Sequence, residues 1–388
     1  MEISVFKNLS LSLIFIFCAC ACVFGQSEKI PSVVHTQHKI SSAVMGEERS
    51  ILVRVPPGYE NGTEKFPVVY MLDGIGYYLN LMPAIIESQA VGKQMPEMIL
   101  VSIQNTNRNR DLTPTVDKNK KYLSGNADRF LQFIETEVVP LVEKNYRTQP
   151  YRIFAGHSLG GLTVVHSFLT KPDLFNAYIA VSPYLHWDNN FPIKRAEEVF
   201  KQKKDWKKTM FLALGDEPEY VAAFDSFKEL LYKTKPLNFD YEFERYTDEI
   251  HTSMPLRAYN SGLRKIYAGW YPPLMYSAAA LEAHYKKLSE KFGYQIKTPD
   301  DAFNQMGLRL ARENKLKEAI DFLKRGIELS PNVPVTYGGL AETYEKNNQL
   351  REARDTFEKG YKLTTAQGNA PLAEAFKRDF ERVSALLK

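Results

Sequence analysis

The sequence predicts an α/β fold with a mostly parallel central sheet, followed by a small all-α domain. Short β-rich segments alternate with longer amphipathic segments from residue 51 to residue 246, which is typical of parallel strands covered by helices. After Tyr271-Pro272-Pro273 the composition changes to Lys, Glu, Ala and Leu at helical spacing. The length of 388 residues, with 44% apolar side chains, accommodates one large domain and one smaller one.

The N-terminal segment predicts export. An apolar stretch from about Leu11 to Val23 follows Lys7 and is too short to span a bilayer comfortably. We therefore predict a signal peptide over residues 1–25, cleaved before Gln26, and a periplasmic or secreted mature protein. A retained membrane anchor, or a lipoprotein acylated at Cys20 or Cys22, is the alternative.

All three cysteines (Cys18, Cys20 and Cys22) fall within the predicted signal peptide. The mature chain would then contain no cysteine, which excludes disulfides, cysteine metal sites and a thiol nucleophile. The formal net charge is only +4, and the basic residues are scattered among acidic ones, so we expect no nucleic-acid partner. We expect no metal and no cofactor.

The first domain is predicted over residues 35–270. Its candidate strands are apolar or β-branched segments: 51–55, 68–72, 98–103, 152–155, 178–182, 210–214 and 239–246. Between them, residues 127–146 have the apolar spacing of one long helix. Pro140 lies inside that segment and can kink it.

The second domain is predicted over residues 275–388 and contains an internal repeat. Leu316, Ala319 and Gly326 recur 34 residues later as Leu350, Ala353 and Gly360, and 34 residues is the period of tetratricopeptide repeats. We assign repeats to 300–333 and 334–367, followed by a capping helix. Two repeats are fewer than the roughly three that bury a core alone. The region can therefore brace the first domain or bind a protein partner.

The predicted nucleophile is Ser158. Strand 152–155 leads directly into Gly156-His157-Ser158-Leu159-Gly160-Gly161, after which apolar residues continue at helical spacing. A G-x-S-x-G motif between a strand and a helix makes a sharp turn that exposes the serine hydroxyl at the carboxyl end of the sheet.

A serine needs a histidine base and an acid that orients it, and in this fold class the chain order is serine, acid, histidine. Of the seven histidines, His251 lies in the loop after the last predicted strand, so it is the predicted base. The acid is expected within Gly215-Asp216-Glu217-Pro218-Glu219. Glu217 is preferred because Pro218 holds it extended, with Glu219 and then Asp216 as alternatives.

Two backbone N–H groups and three side chains complete the predicted site. The N–H groups of Leu159 and Ile75 are candidate oxyanion donors, because Ile75 lies in a glycine-containing turn after strand 68–72. Arg108, Arg110 and Trp187 are candidate substrate-binding residues. The two arginines either line the approach to Ser158 or brace the loop that carries them, with Arg110 beside Asp111.

Several stretches together resemble the esterase family that contains esterase D and the enterochelin-type siderophore esterases. They are residues 49–59, 70–74, 108–114, 156–161 and 249–251. The resemblance implies an α/β-hydrolase fold and a cofactor-free serine esterase acting on a small-molecule ester. It also favours Glu217, because related siderophore esterases place a Glu-Pro pair after this strand. The paired tryptophans that siderophore esterases tend to show are absent from residues 182–187, which argues against a catecholate trilactone substrate.

The functional prediction is an exported serine carboxylesterase that works through a Ser158 acyl-enzyme. One alternative is an acyltransferase that uses the same three side chains but passes the acyl group to an alcohol or sugar. The other is a binding protein without catalysis, in which the helical domain grips a protein partner.

Overall fold

The computed structural model describes residues 35–118, 121–202 and 205–388. The predicted signal peptide, its cleavage position and the three cysteines lie outside the described residues. Contacts do not divide residues 35–388, which form one compact unit. No helix in these described ranges is long and apolar enough to cross a membrane.

Within the described residues, eight strands form one sheet in the order β1-β2-β4-β3-β5-β6-β7-β8. The strands β1 and β2, and β2 and β4, pair antiparallel, and all other neighbours pair parallel. The bounds are β1 Thr36–Ser42, β2 Glu47–Arg54, β3 Phe66–Met71, β4 Ile99–Ile103, β5 Thr148–His157, β6 Ala177–Val181, β7 Asp205–Leu214 and β8 Leu237–Arg245.

Successive residues of the central strands face two separate cores, because side chains alternate across a strand. Tyr70 and Phe154 point into one core, whereas Val69 and Ile153 point into the other. Both β4 and β6 are buried along their whole length, which explains their continuous apolar sequences. These two strands therefore present only their ends, and not their faces, to solvent.

Helices cover both faces of the sheet. Those of the first domain are α1 Tyr77–Val91, α2 Arg108–Asp111, α3 Ala127–Phe133, α4 Val139–Asn145, α5 Leu159–Thr170, α6 Trp187–Gln202, α7 Pro218–Thr234 and α8 Pro255–Ile266. The long helix expected over 127–146 is divided by one π-helical turn, Ile134–Val138. Pro140 has no N–H to donate to the preceding turn, and the wider turn accommodates that loss before α4 begins.

The C-terminal region is all-helical. It contains α9 Ala278–Phe292, α10 Asp300–Arg312, α11 Leu316–Leu329, α12 Pro334–Lys346, α13 Leu350–Ala366 and α14 Ala370–Ala385. The helix pairs α10 with α11 and α12 with α13 coincide with the two repeats of the sequence pattern, and α14 packs on α13.

An aromatic seam of Tyr151, Tyr267 and Phe292 joins the sheet region to α9. The Phe292 ring stacks on Tyr267 at 4.9 Å between centroids and meets Tyr151 edge-on at 5.0 Å. The same apolar core continues from the sheet through α8 and α9 to α10 and α11. The helical region thus shares a core with the first domain.

Candidate active site

The turn between β5 and α5 has the geometry of a nucleophile elbow. Ser158 has φ 60° and ψ −116°, a conformation that side-chain-bearing residues rarely adopt. A Cβ on Gly156 would lie 2.5 Å from backbone atoms of Gly160, so only glycine permits the strand and helix to approach this closely. Strain of this kind persists only where the surrounding structure enforces it.

Three backbone hydrogen bonds hold the strained serine in place. The Ser158 N–H donates to the Val181 carbonyl at 2.9 Å, and its own carbonyl accepts from Leu162 at 2.9 Å and from Tyr184 at 3.3 Å. The elbow is therefore fixed by β6, by α5 and by the segment after β6. These three bonds hold the Ser158 backbone at its positive φ.

The predicted base and the preferred acid are in direct contact. The Nδ1 atom of His251 is hydrogen-bonded to Oε1 of Glu217. The Asp216 N–H donates to the Glu249 carbonyl at 2.7 Å, which ties the loop after β7 to the loop after β8. Asp216 and Glu219 are both exposed. The structure thus brings one of the three candidate acids to His251.

Glu217 is 4% exposed and is held as a carboxylate. Burial alone would raise its pKa, but hydrogen bonds from His251, Ser182 and Gly215 outweigh burial and keep the pKa below its usual range. The Ser182 hydroxyl and the Gly215 N–H, the latter at 3.1 Å, both donate to Oε2. One carboxylate oxygen is thereby fixed by the scaffold while the other orients His251.

His157, directly before Ser158, packs against His251 with ring centroids 4.3 Å apart. Burial and the neighbouring His251 lower the pKa of His157 to about 4. Its Nδ1 is hydrogen-bonded to the hydroxyl of Tyr78 at 2.8 Å, and burial raises the Tyr78 pKa to about 12. The phenol therefore remains the donor, and His157 stays neutral beside the base at neutral pH.

Arg108 links the elbow to the turn that follows β3. Its Nε and one terminal nitrogen bind the two oxygens of Asp73 at 2.6 and 2.8 Å, and the same terminal nitrogen donates to the His157 carbonyl at 3.2 Å. Asn105 also donates to Asp73, at 2.5 Å. Arg108 thus lies beside the predicted nucleophile and braces the turn after β3; its role in binding substrate stays a prediction.

The two candidate oxyanion donors differ in their present partners. Leu159 is the first residue of α5, so its N–H has no carbonyl one helical turn earlier to bind. The Ile75 N–H donates to the carbonyl of Asp73 at 2.7 Å within its own turn. To serve as a donor, Ile75 must exchange that bond for one to substrate, and its role stays a prediction.

The other two candidate substrate-binding residues have structural partners. Arg110 binds Glu47 and Asp111, and the same two acids bind Arg49, which is buried. Trp187 is 1% exposed, and its indole N–H donates to Thr115 at 3.0 Å. Packing of this kind keeps the Trp187 ring from a substrate in the present structure. The pairing of Arg110 with Asp111 corresponds to the bracing role that the sequence analysis considered.

The structure adds four residues that the sequence analysis did not select: Asp73, Tyr78, Ser182 and Tyr220. Ser182 follows β6 and contacts Glu217, while Tyr78 and Asp73 contact His157 and Arg108. The ring of Tyr220 lies beside that of His251, with the two centroids 5.6 Å apart. Its signal in the sequence was its position, one helical turn after Glu217. Among residues 35–118, 121–202 and 205–388, no group of His, Cys, Asp and Glu has the arrangement of a metal site.

Comparison with known proteins gives two family matches. The family described as "Putative esterase" matches residues 42–255, and a tetratricopeptide-repeat family matches residues 310–361. A solved IroE-like serine hydrolase from Shewanella oneidensis superposes with a TM-score of 0.67 at 26% identity, covering 76% of this chain and all of that one. A structure from Capnocytophaga ochracea, at 15% identity, shares the fold over 91% of this chain with a TM-score of 0.62 and is itself fully covered.

Curated relatives include siderophore esterases. The ferri-bacillibactin esterase BesA of Bacillus subtilis is 32% identical over 39% of this chain and 60% of its own length. The triacetylfusarinine C esterase of Aspergillus fumigatus is 31% identical over 41% of this chain and 59% of its own length. The chain thus spans about 60% of the length of these two relatives.

Proposed function

Because the chain belongs to the esterase family that matches residues 42–255, we propose that it is a serine carboxylesterase with Ser158 as nucleophile, His251 as base and Glu217 as the orienting acid. The observation that carries the proposal is the hydrogen bond between His251 and the buried Glu217, in a loop pair beside a strained serine elbow. A neutral histidine oriented by a carboxylate is what activates a serine hydroxyl.

In the first half-reaction, Ser158 Oγ attacks the ester carbonyl carbon while His251 accepts the hydroxyl proton. The negative charge on the carbonyl oxygen is expected to meet the Leu159 N–H at the start of α5, where the helix dipole also favours an anion. His251 then gives its proton to the departing alcohol. Glu217 stays ionised throughout and stabilises the protonated histidine, in agreement with its lowered pKa.

A fluorophosphonate probe and a short-chain aryl ester test the proposal. The wild type is expected to be labelled at Ser158 and to hydrolyse the ester, whereas Ser158→Ala should lose both. Ser226→Ala is the matched control and should keep both the labelling and the activity. The Ser226 hydroxyl lies on the exposed side of α7 and donates to the Ala222 carbonyl of the same helix. Labelling of the Ser158→Ala protein at another serine would overturn the assignment.

The substrate is proposed to be a small-molecule ester, and siderophore esters are the first class to screen because relatives are named for hydrolysing them. A panel of siderophore, aryl and sugar esters identifies the preferred acyl and alcohol groups. Adding an acceptor alcohol and analysing products separates hydrolysis from acyl transfer, since a transferase would form a new ester.

Export is part of the same proposal. The short apolar segment before Gln26 supports a cleaved signal peptide. Intact-mass measurement on secreted or periplasmic material is expected to give an N-terminus at or near Gln26. A diacylglyceryl mass on Cys20 or Cys22 would replace this with the lipoprotein alternative.

A further inference from the structure

The proposed base, His251, is restrained on two sides. Its Nδ1 is hydrogen-bonded to Oε1 of Glu217, and this bond alone would leave the plane of the imidazole free to turn. The ring of His157 lies 4.3 Å from that of His251 between centroids, closer than the ring of Tyr220 at 5.6 Å. His157 therefore supplies a contact on the ring of His251 that the hydrogen bond to Glu217 does not provide.

His157 can restrain another ring because it is itself held through both its side chain and its backbone. Its Nδ1 is hydrogen-bonded to the Tyr78 hydroxyl at 2.8 Å, and its carbonyl accepts a hydrogen bond from Arg108 at 3.2 Å. The residue is only 6% exposed. Burial lowers the pKa of His157 to about 4, so a neutral ring faces the base and adds no repulsion when His251 becomes protonated during the reaction.

Tyr78 reaches His157 from a different part of the chain. Tyr78 is the second residue of α1, directly after the turn that follows β3, whereas His157 is the last residue of β5. The half-buried Tyr78 ring packs beside the rings of Tyr77 at 5.1 Å and His157 at 6.2 Å. Removing the hydroxyl alone would therefore keep this packing and release the imidazole of His157 from its hydrogen bond.

We propose that Tyr78 is a positioning residue: its hydrogen bond fixes the imidazole of His157, and this imidazole in turn fixes the orientation of His251. The proposal rests on His251 being the base of the proposed function. Glu217 restrains the base at Nδ1, and His157 restrains its ring. Proton transfer from Ser158 Oγ then starts from one orientation of the base, without the reordering that a freely turning imidazole would need.

The kinetic signature of such a residue differs from that of a substrate contact. His251 takes and returns a proton in both half-reactions, so a misoriented base slows acylation and deacylation alike. Tyr78→Phe should therefore lower kcat and kcat/KM by the same factor, roughly 5-fold, which is the effect of losing one neutral hydrogen bond. KM should not change. A phenol that binds substrate would instead raise KM and leave kcat near the wild-type value.

A double-mutant cycle on an activated aryl ester tests whether Tyr78 acts through His157. His157→Leu removes the nitrogen that binds Tyr78 and should itself lower kcat/KM by at least roughly 5-fold. In the His157→Leu background, Tyr78→Phe should change kcat/KM by less than about twofold, because two residues that act as one unit are not additive. A phenol that merely supports the fold would give losses that multiply. His157→Met takes the place of His157→Leu in the cycle if that protein does not fold.

Rates are normalised to active sites titrated by fluorophosphonate, so unfolded protein does not count. The second-order rate of fluorophosphonate labelling also depends on activation of Ser158 by His251 and should fall by the same factor of roughly 5 in Tyr78→Phe. Tyr259→Phe is the matched control and should keep wild-type rates. It removes a hydroxyl from a ring 6.5 Å from that of Tyr78, and this hydroxyl has no hydrogen-bond partner among the described residues.

Wild-type rates in Tyr78→Phe, a rise in KM alone, or losses that multiply in the cycle would each overturn the proposal. All three results leave the esterase assignment intact as long as the probe labels Ser158. Absence of labelling in the wild type would instead overturn the proposed function itself.

Discussion

Glu217 accepts hydrogen bonds from His251, Ser182 and Gly215. These contacts favour Glu217 over Asp216 and Glu219 as the acid that orients His251. Glu217→Gln removes the charge that stabilises protonated His251, so we expect kcat to fall by roughly 10³-fold. Glu219→Gln and Asp216→Asn alter exposed side chains and should stay within about twofold. Side-by-side kcat measurements on an aryl ester check this. A larger loss in either exposed variant would show that the acid is misassigned.

His157 gives the protein a specific pH dependence of stability. Its pKa falls from an ordinary value of 6.5 to about 4 in the folded state. Between those two values the unfolded chain binds a proton that the folded chain does not, so the free energy of unfolding decreases as pH falls. From pH 7 to pH 5 this group should remove about 2 kcal/mol.

Urea unfolding of the wild type and of His157→Gln at both pH values isolates that contribution. Glutamine can still accept from Tyr78 but does not titrate, so the variant should lose about 2 kcal/mol less than the wild type between pH 7 and pH 5. Identical losses in the two proteins would mean that His157 is not kept neutral by the fold.

Residues are predictable from sequence when a local rule applies to them. Ser158 was identified from its glycine motif, and Glu217 was preferred because a proline follows it. Ser182 had no such rule, since its contact with Glu217 joins segments that are distant in sequence. Trp187 illustrates the opposite case, because a sequence cannot tell whether an aromatic side chain near an active-site strand faces solvent or packs inside.

At the scale of elements, the elbow depends on one close approach of backbone atoms. Gly156→Ala would place a Cβ 2.5 Å from Gly160, where the contact is backbone and cannot move cheaply. We expect a loss of about 1–3 kcal/mol in stability and a larger relative loss of activity, because the elbow itself must shift. Thermal unfolding and aryl ester turnover measure both effects.

Gly92→Ala is the matched control for this change. Gly92 has φ −71° and a new Cβ would meet its nearest atom, a carbonyl oxygen, at 3.4 Å, which is ordinary contact. That variant should retain wild-type stability and activity. A Gly156→Ala protein equal to this control would contradict the close approach between β5 and α5.

The elements themselves differ in how well the sequence predicts them. The buried parallel strands were recognisable because they are continuous apolar runs. Strand β1 was missed because, as an edge strand, it is largely exposed and carries mostly polar residues. The helix over 127–146 had the right periodicity, yet its π-helical turn follows from the missing N–H of Pro140, whose local effect the apolar spacing does not encode.

For the whole molecule, the shared core predicts that the helical region stabilises the catalytic one. Phe292→Ala removes a buried ring from the aromatic seam of Tyr151, Tyr267 and Phe292, at an expected cost of about 3–5 kcal/mol. The urea concentration that halves esterase activity should therefore decrease. Phe357→Ala, in the separate cluster of the outer repeats, should leave that midpoint nearly unchanged. Equal midpoints for Phe292→Ala and the wild type would show that the two regions unfold independently.

The aromatic seam also bears on how the protein would withstand proteases. A single cut between α8 and α9 breaks the chain but leaves the stacked rings of Tyr267 and Phe292 and the apolar core around them in place. Two fragments would separate on a denaturing gel, yet they would migrate together in gel filtration as one nicked particle. Noncovalent packing, rather than backbone continuity, would thus hold the two parts together at this junction, and an esterase cleaved there would keep its activity.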